Sequence, residues 1–265
     1  MQSSRRILID DLEGTPAARQ ALHAGPVMPQ VGEREEWLKR YNAPPAPVTF
    51  PDEDPYSPAY MRLDLDETPG SILHFWFDYS ADRASILQDR IPLWFGGNFE
   101  LDRSVAARFT SIVAKLASGE ALRWAAKGPR ERLAAIIALD QFSRQIFRGT
   151  PAAFENDALA LMLAREGIRR EEDLALKPAE RWFFYMPLEH SESSSDQRRS
   201  VEKFSELLTL ATPELSPHLA TAYDYAKRHA RVIAKFGRFP HRNDILGRTT
   251  TSAEKAFLKR TAGGF

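Results

Sequence analysis

The chain contains no cysteine, which excludes disulfides, thiolate nucleophiles and sulfur-ligated zinc together. It lacks a surplus of either charge: 36 Lys plus Arg stand against 36 Asp plus Glu, so no overall field draws in nucleic acid or an anionic membrane surface. No apolar run approaches the roughly 20 residues of a membrane span. The apolar centre near the start, Ile7-Leu8-Ile9, is too short for a secretory signal, so a cytoplasmic location is the default expectation. Glycine-rich phosphate cradles and a G-x-S-x-G elbow are missing: Gly96-Gly97-Asn98 reads as a turn, and Ser191, Ser193, Ser194 and Ser195 read as a polar loop. No histidine pair has the compact H-E-x-x-H spacing, and no metal centre is expected. What is present is 265 residues with 43% hydrophobic and 11% aromatic content, enough for a core of one large domain or two small ones.

Ten of the 18 prolines fall in the first 69 residues, and proline both fixes φ and removes a donor. Residues 1–68 are therefore expected to form a proline-rich, extended arm with one short helix, Glu33 to Tyr41, and with Trp37, Phe50, Tyr56 and Tyr60 anchoring it on the body. From residue 69 to 265 the pattern is helical. Leu101, Val105, Phe109, Ile112 and Leu116 recur at steps of three and four, with Gly119 just beyond. Pro129 and Pro178 suit first helical positions, and Pro187 is expected to kink or end its helix. Further helices are expected at Asn156 to Glu166, Gln197 to Leu210, Leu219 to Phe236, and from Thr251, where Thr251 with Glu254 forms a capping-box pattern. No sustained period-two alternation occurs, so the body is expected to be all-α.

Three polar clusters interrupt the apolar pattern. Asp140 and Arg144, four apart, continue the stripe of Leu133 and Ile137 and predict a buried pair. That pair is either a structural tie between helices or part of a ligand site. Gln141 and Gln145 lie about a hundred degrees around the helix and serve another surface. The second cluster is Glu189-His190-Ser191-Glu192. Glu189 and Glu192 share a face if the chain stays helical past Pro187, and a carboxylate beside a histidine is the minimum for general acid/base work. The alternative is that Glu189 and His190 satisfy backbone groups at a helix end. The third, Arg238 to Asn243, follows the expected helix stop at Gly237 and places Arg238, His241, Arg242 and Asn243 in one loop, with Arg248 close behind. Arginine forks suit carboxylate or phosphate, or pair with Glu189 and Glu192. His229 continues the inward line of Ala222 and Ala226, and Arg148 suits a helix C-terminus.

The strings Phe75-Trp76-Phe77, Trp94-Phe95-Gly96, Leu139 to Gly149, Tyr185 to Glu192, and Phe236 to Asn243 with Leu246-Gly247-Arg248 resemble the bacterial family catalogued as domain of unknown function 924 over about residues 70 to 260. The family has Asn where this chain has Gln145. The resemblance implies a tetratricopeptide-like, right-handed α-superhelix of antiparallel helix pairs, and it brings no activity. Residues 1–68 fall outside it. Taken together, the residues lead to a pocket for a small anionic metabolite, with Arg144, Arg238 and Arg242 as anion contacts. Asp140, Glu192, His229 and Asn243 line it, and Glu189, His190 and His241 are the acid/base candidates. The rival is a noncatalytic module whose groove receives a peptide or protein. Substrate, cofactor and oligomeric state are left open.

Overall fold

The computed structural model describes residues 67–78, 90–97 and 99–261, so the expected arm, its helix and its aromatic anchors lie outside the described residues. Everything described is helix or connection, and no strand occurs among the described residues. The body is all-α. In chain order the helices are α1 (Pro69–Phe77), α2 (residues 90–95), α3 (Phe99–Lys115), α4 (Ala121–Ala125), α5 (Pro129–Ile136), α6 (Ser143–Ile146), α7 (Asp157–Arg169), α8 (Pro178–His190), α9 (Ser194–Leu208), α10 (Ser216–Phe236) and α11 (Ser252–Arg260). Short 3-10 turns stand at Pro151–Phe154, Glu172–Ala175 and Pro240–Arg242. None of the helices described is long and apolar enough to cross a membrane.

The helix starts follow local chemistry. Thr68 caps α1 in a box with Ser71, Pro129 and Pro178 stand at the first turns of α5 and α8, and Thr251 caps α11 in a box with Glu254. Gly237 ends α10 in the left-handed region at φ 68°, a conformation that glycine adopts without a Cβ clash. The helix-ending half of the Pro187 expectation fails in α8. Pro187 neither ends the helix nor stops it short of Glu189, since α8 runs on through His190. Proline removes one N–H near the end of the helix, while Phe183, Phe184, Tyr185 and Leu188 are all buried; burial at about 1.5–3 kcal/mol per large side chain outweighs that loss.

The core centres on α8. Phe183 packs edge-on against Trp76 and Trp94, with ring centroids 5.3 and 4.7 Å away, while Phe109 stacks on Phe142 at 4.4 Å. Trp94 donates its indole N–H to the Trp76 carbonyl at 3.0 Å, so this buried ring also satisfies its polar atom. Helix α7 packs on α8, α8 on α9, and α9 on α10. A smaller apolar cluster of Val232, Ile233 and Phe239, with Phe236 and Phe257, seats the C-terminal turn and α11.

Between α5 and α6 the chain makes a π-helical turn, Ile137–Phe142, whose six residues are all buried. The wider turn shifts the register, so Asp140 and Gln141 both face inward, and the expectation that Gln141 serves another surface is corrected. Its amide nitrogen donates to the Asp140 carboxylate. Gln145 is buried too, donating to the Leu93 carbonyl at 2.9 Å.

Candidate functional site

The end of α8, the start of α7 with the turn before it, and the turn after α10 line an open cavity of about 430 Å³. Its wall is apolar at Pro151, Phe154, Ala158, Leu161, Pro187 and Leu246, and polar at Glu155, Asp157, His190, Ser191, Glu192 and Arg242. Two of the three expected polar segments, α8 with its following turn and the turn after Gly237, supply His190, Ser191, Glu192 and Arg242, and the start of α7 adds Asp157 beside Glu155.

His190 is the cavity residue with the most chemistry. Its Nδ1 lies 2.8 Å from Oδ1 of Asp140, which is 1% exposed. Burial works to raise the Asp140 pKa, but the Arg144 and His190 charges, with hydrogen bonds from His190 and Gln141, hold it down at about 2. Asp140 is therefore an ionised acceptor, and the proton between the two belongs to Nδ1. Nε2 is left as the lone-pair nitrogen, without a partner among the described residues. Burial first, then the Arg144 charge, lowers the imidazole pKa below its ordinary value against the opposing pull of Asp140.

The expected Asp140–Arg144 pair exists, at 3.2 Å, yet it is not the principal contact of Arg144. That guanidinium donates to both oxygens of Asp157 at 2.7 and 3.0 Å and to the Asp140 carbonyl at 2.9 Å. Asp157 also accepts from Arg242 at 3.3 Å, and Arg242 donates to the His190 carbonyl at 3.1 Å. With its Cζ 4.7 Å from the ring centres of both Phe154 and Phe239, Arg242 is held by cation–π as well as ionic contacts. Burial lowers its pKa to about 10, which leaves it charged at neutral pH.

Glu189 lies behind this wall and not on it. It is 5% exposed, and burial, followed by the charge of Asp140, pushes its carboxyl up to about 8. Nδ1 of His229 lies 3.1 Å from it and 2.9 Å from the Tyr225 carbonyl. A carbonyl can only accept, so this Nδ1 carries a proton; burial takes the His229 pKa down to about 3. His241 packs its ring 5.6 Å from that of Phe239, with burial and then the Arg242 charge lowering its pKa to about 4. It is not among the cavity-lining residues.

Glu189 and Glu192 do not share a face, because α8 ends at His190 and Ser191 turns extended. Glu192 accepts from the Phe239 N–H at 2.8 Å and from Arg248 at 2.8 and 3.0 Å, the pairing anticipated for this loop. Asn243 is fully buried and bonds Thr250 at 3.4 Å. Arg238 does not join the cluster: it forks onto Glu254 at 2.7 and 2.9 Å and onto the Thr249 carbonyl at 2.7 Å. Arg148 stands one residue past Phe147, the C-cap of α6, and forks onto Asp102 at 2.6 and 2.9 Å. Ser194 and Ser195 open α9 instead of extending the loop. Asp157, Phe154 and Phe239 went unnoticed as site residues. Asp157 carries the signature of an ordinary first-turn acid, and nothing in its spacing ties it to Arg144 or Arg242. Among the described residues no group of three His, Asp or Glu side chains is arranged to hold a metal ion.

Fold and site define an all-helical protein with a carboxylate–histidine pair on a cavity wall. The chain belongs to the bacterial family of unknown function DUF924, whose model matches residues 72–262. It is similar to a solved structure of a protein of unknown function from Agrobacterium tumefaciens, with 32% sequence identity and a TM-score of 0.60, over 72% of this chain and 97% of that one. No curated protein matches it.

Proposed function

We propose that this cavity binds a small molecule and that His190 acts there as a general base. The observation that carries the reading is the 2.8 Å contact between Asp140 and His190 Nδ1 on the cavity wall. A buried carboxylate that fixes the imidazole tautomer leaves Nε2 ready to take a proton from a substrate or a water, and the lowered pKa keeps the ring neutral at pH 7. Successive packing of α7, α8, α9 and α10 is the arrangement from which a tetratricopeptide-like superhelix is built, and it supports that finer reading of the fold.

The ligand's character follows from the wall. A volume of about 430 Å³ lies in the range of small-molecule sites, and the apolar side suits a hydrocarbon body. The polar side holds three carboxylates, Glu155, Asp157 and Glu192, against one guanidinium, Arg242. Arg144, Arg242 and Arg248 are already engaged with Asp157 and Glu192. We therefore assign this cavity a ligand whose polar end is neutral or cationic, in place of the anion anticipated from the arginine count.

A thermal-shift screen with separate pools of amines, neutral amides and esters, and carboxylates tests this on the wild type, His190→Gln and Asp157→Asn. The reading expects an amine or neutral compound to raise the wild-type melting temperature, with a smaller rise in both variants. If no compound acts, or if the variants keep the full shift, the peptide-binding reading replaces it.

A further inference from the structure

A second concavity, of about 250 Å³, lies between the far half of α7 and the start of α9, lined by Arg165, Ile168, Arg169, Leu188, Asp196 and Arg199. We propose that it is an anion site for a small phosphoryl-bearing molecule. Its lining carries three guanidiniums against one carboxylate, the reverse of the first cavity.

The arginines are held in place by one edge only. Arg165 gives Nε and Nη2 to Asp196 at 2.8 and 2.6 Å, and Asp196, 4% exposed, is itself anchored by the Ser191 hydroxyl at 2.6 Å. Arg169 gives Nε and Nη2 to Glu166 at 2.7 and 2.6 Å, while Arg199 gives Nη1 to Glu202 at 2.7 Å. Nη1 of Arg165, Nη1 of Arg169, and Nε and Nη2 of Arg199 have no partner among the described residues. Ile168 and Leu188 supply the apolar part of the same lining.

The charges outside the lining leave the balance positive. Glu166 is shared between Arg169 and Arg170, which donates to it at 2.6 Å, so one carboxylate faces two guanidiniums. Exposed pairs of this kind contribute little and exchange partners readily. A phosphoryl group gains charge-assisted, forked hydrogen bonds from several pre-oriented arginines at once. The concavity holds only about 250 Å³, which suits a free phosphoryl compound better than an extended polyanion.

Inorganic pyrophosphate is the probe, titrated calorimetrically into the full chain at about 0.15 M salt, where charges farther apart than about 8 Å are screened. The proposal expects saturable binding that weakens at least about tenfold, or 1.4 kcal/mol, in the double variant Arg169→Gln/Arg199→Gln. Arg123→Gln removes an arginine in a similar exposed pair, with Glu120, outside the lining of both concavities, and is expected to bind as the wild type does. His190→Gln is likewise expected to bind unchanged, which separates this site from the first. Absence of saturable binding, equal binding by the double variant, or a comparable loss in Arg123→Gln or His190→Gln would overturn it. Unchanged melting temperatures establish that the variants are folded.

Discussion

The two concavities share helices α7 and α8 and differ in the burial of their charged groups. The first half of α7 supplies Asp157, Ala158 and Leu161 to one, and its second half supplies Arg165, Ile168 and Arg169 to the other; the end of α8 contributes Pro187 and His190 to the first and Leu188 to the second. In the first, the ionic groups behind the wall are buried and paired, as the cost of an unpaired buried charge requires. Reactivity there falls to the nitrogen left over, Nε2 of His190. In the second, Arg165, Arg169 and Arg199 have side chains 53%, 69% and 44% exposed; the pairs of Arg169 with Glu166 and Arg199 with Glu202 are solvent-accessible at both ends and therefore weak, while Arg165 is held on the buried Asp196. Burial makes a site with one committed atom, and exposure makes a site with exchangeable donors.

If that contrast is right, mutations should separate the two sides by size of effect. Asp140→Ala removes the acceptor of His190 Nδ1 and of the Gln141 amide while Arg144 keeps Asp157, and at about 1–3 kcal/mol for each donor left without an acceptor it is expected to cost about 2–5 kcal/mol by urea denaturation; a loss under about 1 kcal/mol would erase the distinction. Gly167→Ala acts on the helix common to both concavities. Its Cβ would enter the space of Phe184 and the Arg132 stem, and overpacking of this kind costs about 1–3 kcal/mol.

Glu189→Gln has a pH signature. The folded state holds a proton on Glu189 up to about pH 8, whereas the unfolded carboxyl releases it near 4.5, so wild-type stability from this group falls as pH rises between those values. His229 and His241 act oppositely. Their folded pKa values are depressed to about 3 and 4, so their contribution is present above pH 6.5 and is lost as pH falls through those values. Between pH 6.5 and 8 Glu189 therefore acts without that compensation, and the wild type is expected to lose on the order of 2 kcal/mol relative to Glu189→Gln. Parallel stability curves for the two proteins in denaturation from pH 6.5 to 8 would contradict the buried, protonated Glu189. The smallest effect is expected in the second concavity, where Arg169→Gln or Arg199→Gln should change stability by less than about 0.5 kcal/mol in the same assay.

Which parts were legible in the sequence follows the range of the forces. Pro129, Pro178, Gly237 and the Thr251–Glu254 box act within one helical turn, and the helices begin and end where those residues require. The π-helical turn at Ile137–Phe142 left no such mark, because a 3.6-residue period reads Asp140 correctly and misplaces Gln141. Pro187 was misread for the converse reason: a local penalty was overruled by the burial of its aromatic neighbours. Arg144, Arg238 and Arg242 were recognisable as cations needing partners, but the partners, Asp157 and Glu254, are chosen by packing across distant segments. His190 was identified from its neighbours in sequence, and Asp140 from its helix face; their 2.8 Å contact across 50 residues joined two clusters that had been read separately.

The central claim is that burial and the Arg144 charge keep His190 neutral while Asp140 fixes its proton on Nδ1. Nitrogen-15 NMR of the six histidines, with His190→Gln to assign the signal, measures it directly. The account predicts an Nδ1–H tautomer for His190 at pH 7 and a titration midpoint below 6.5. An imidazolium at pH 7, or a neutral ring protonated on Nε2, would contradict it.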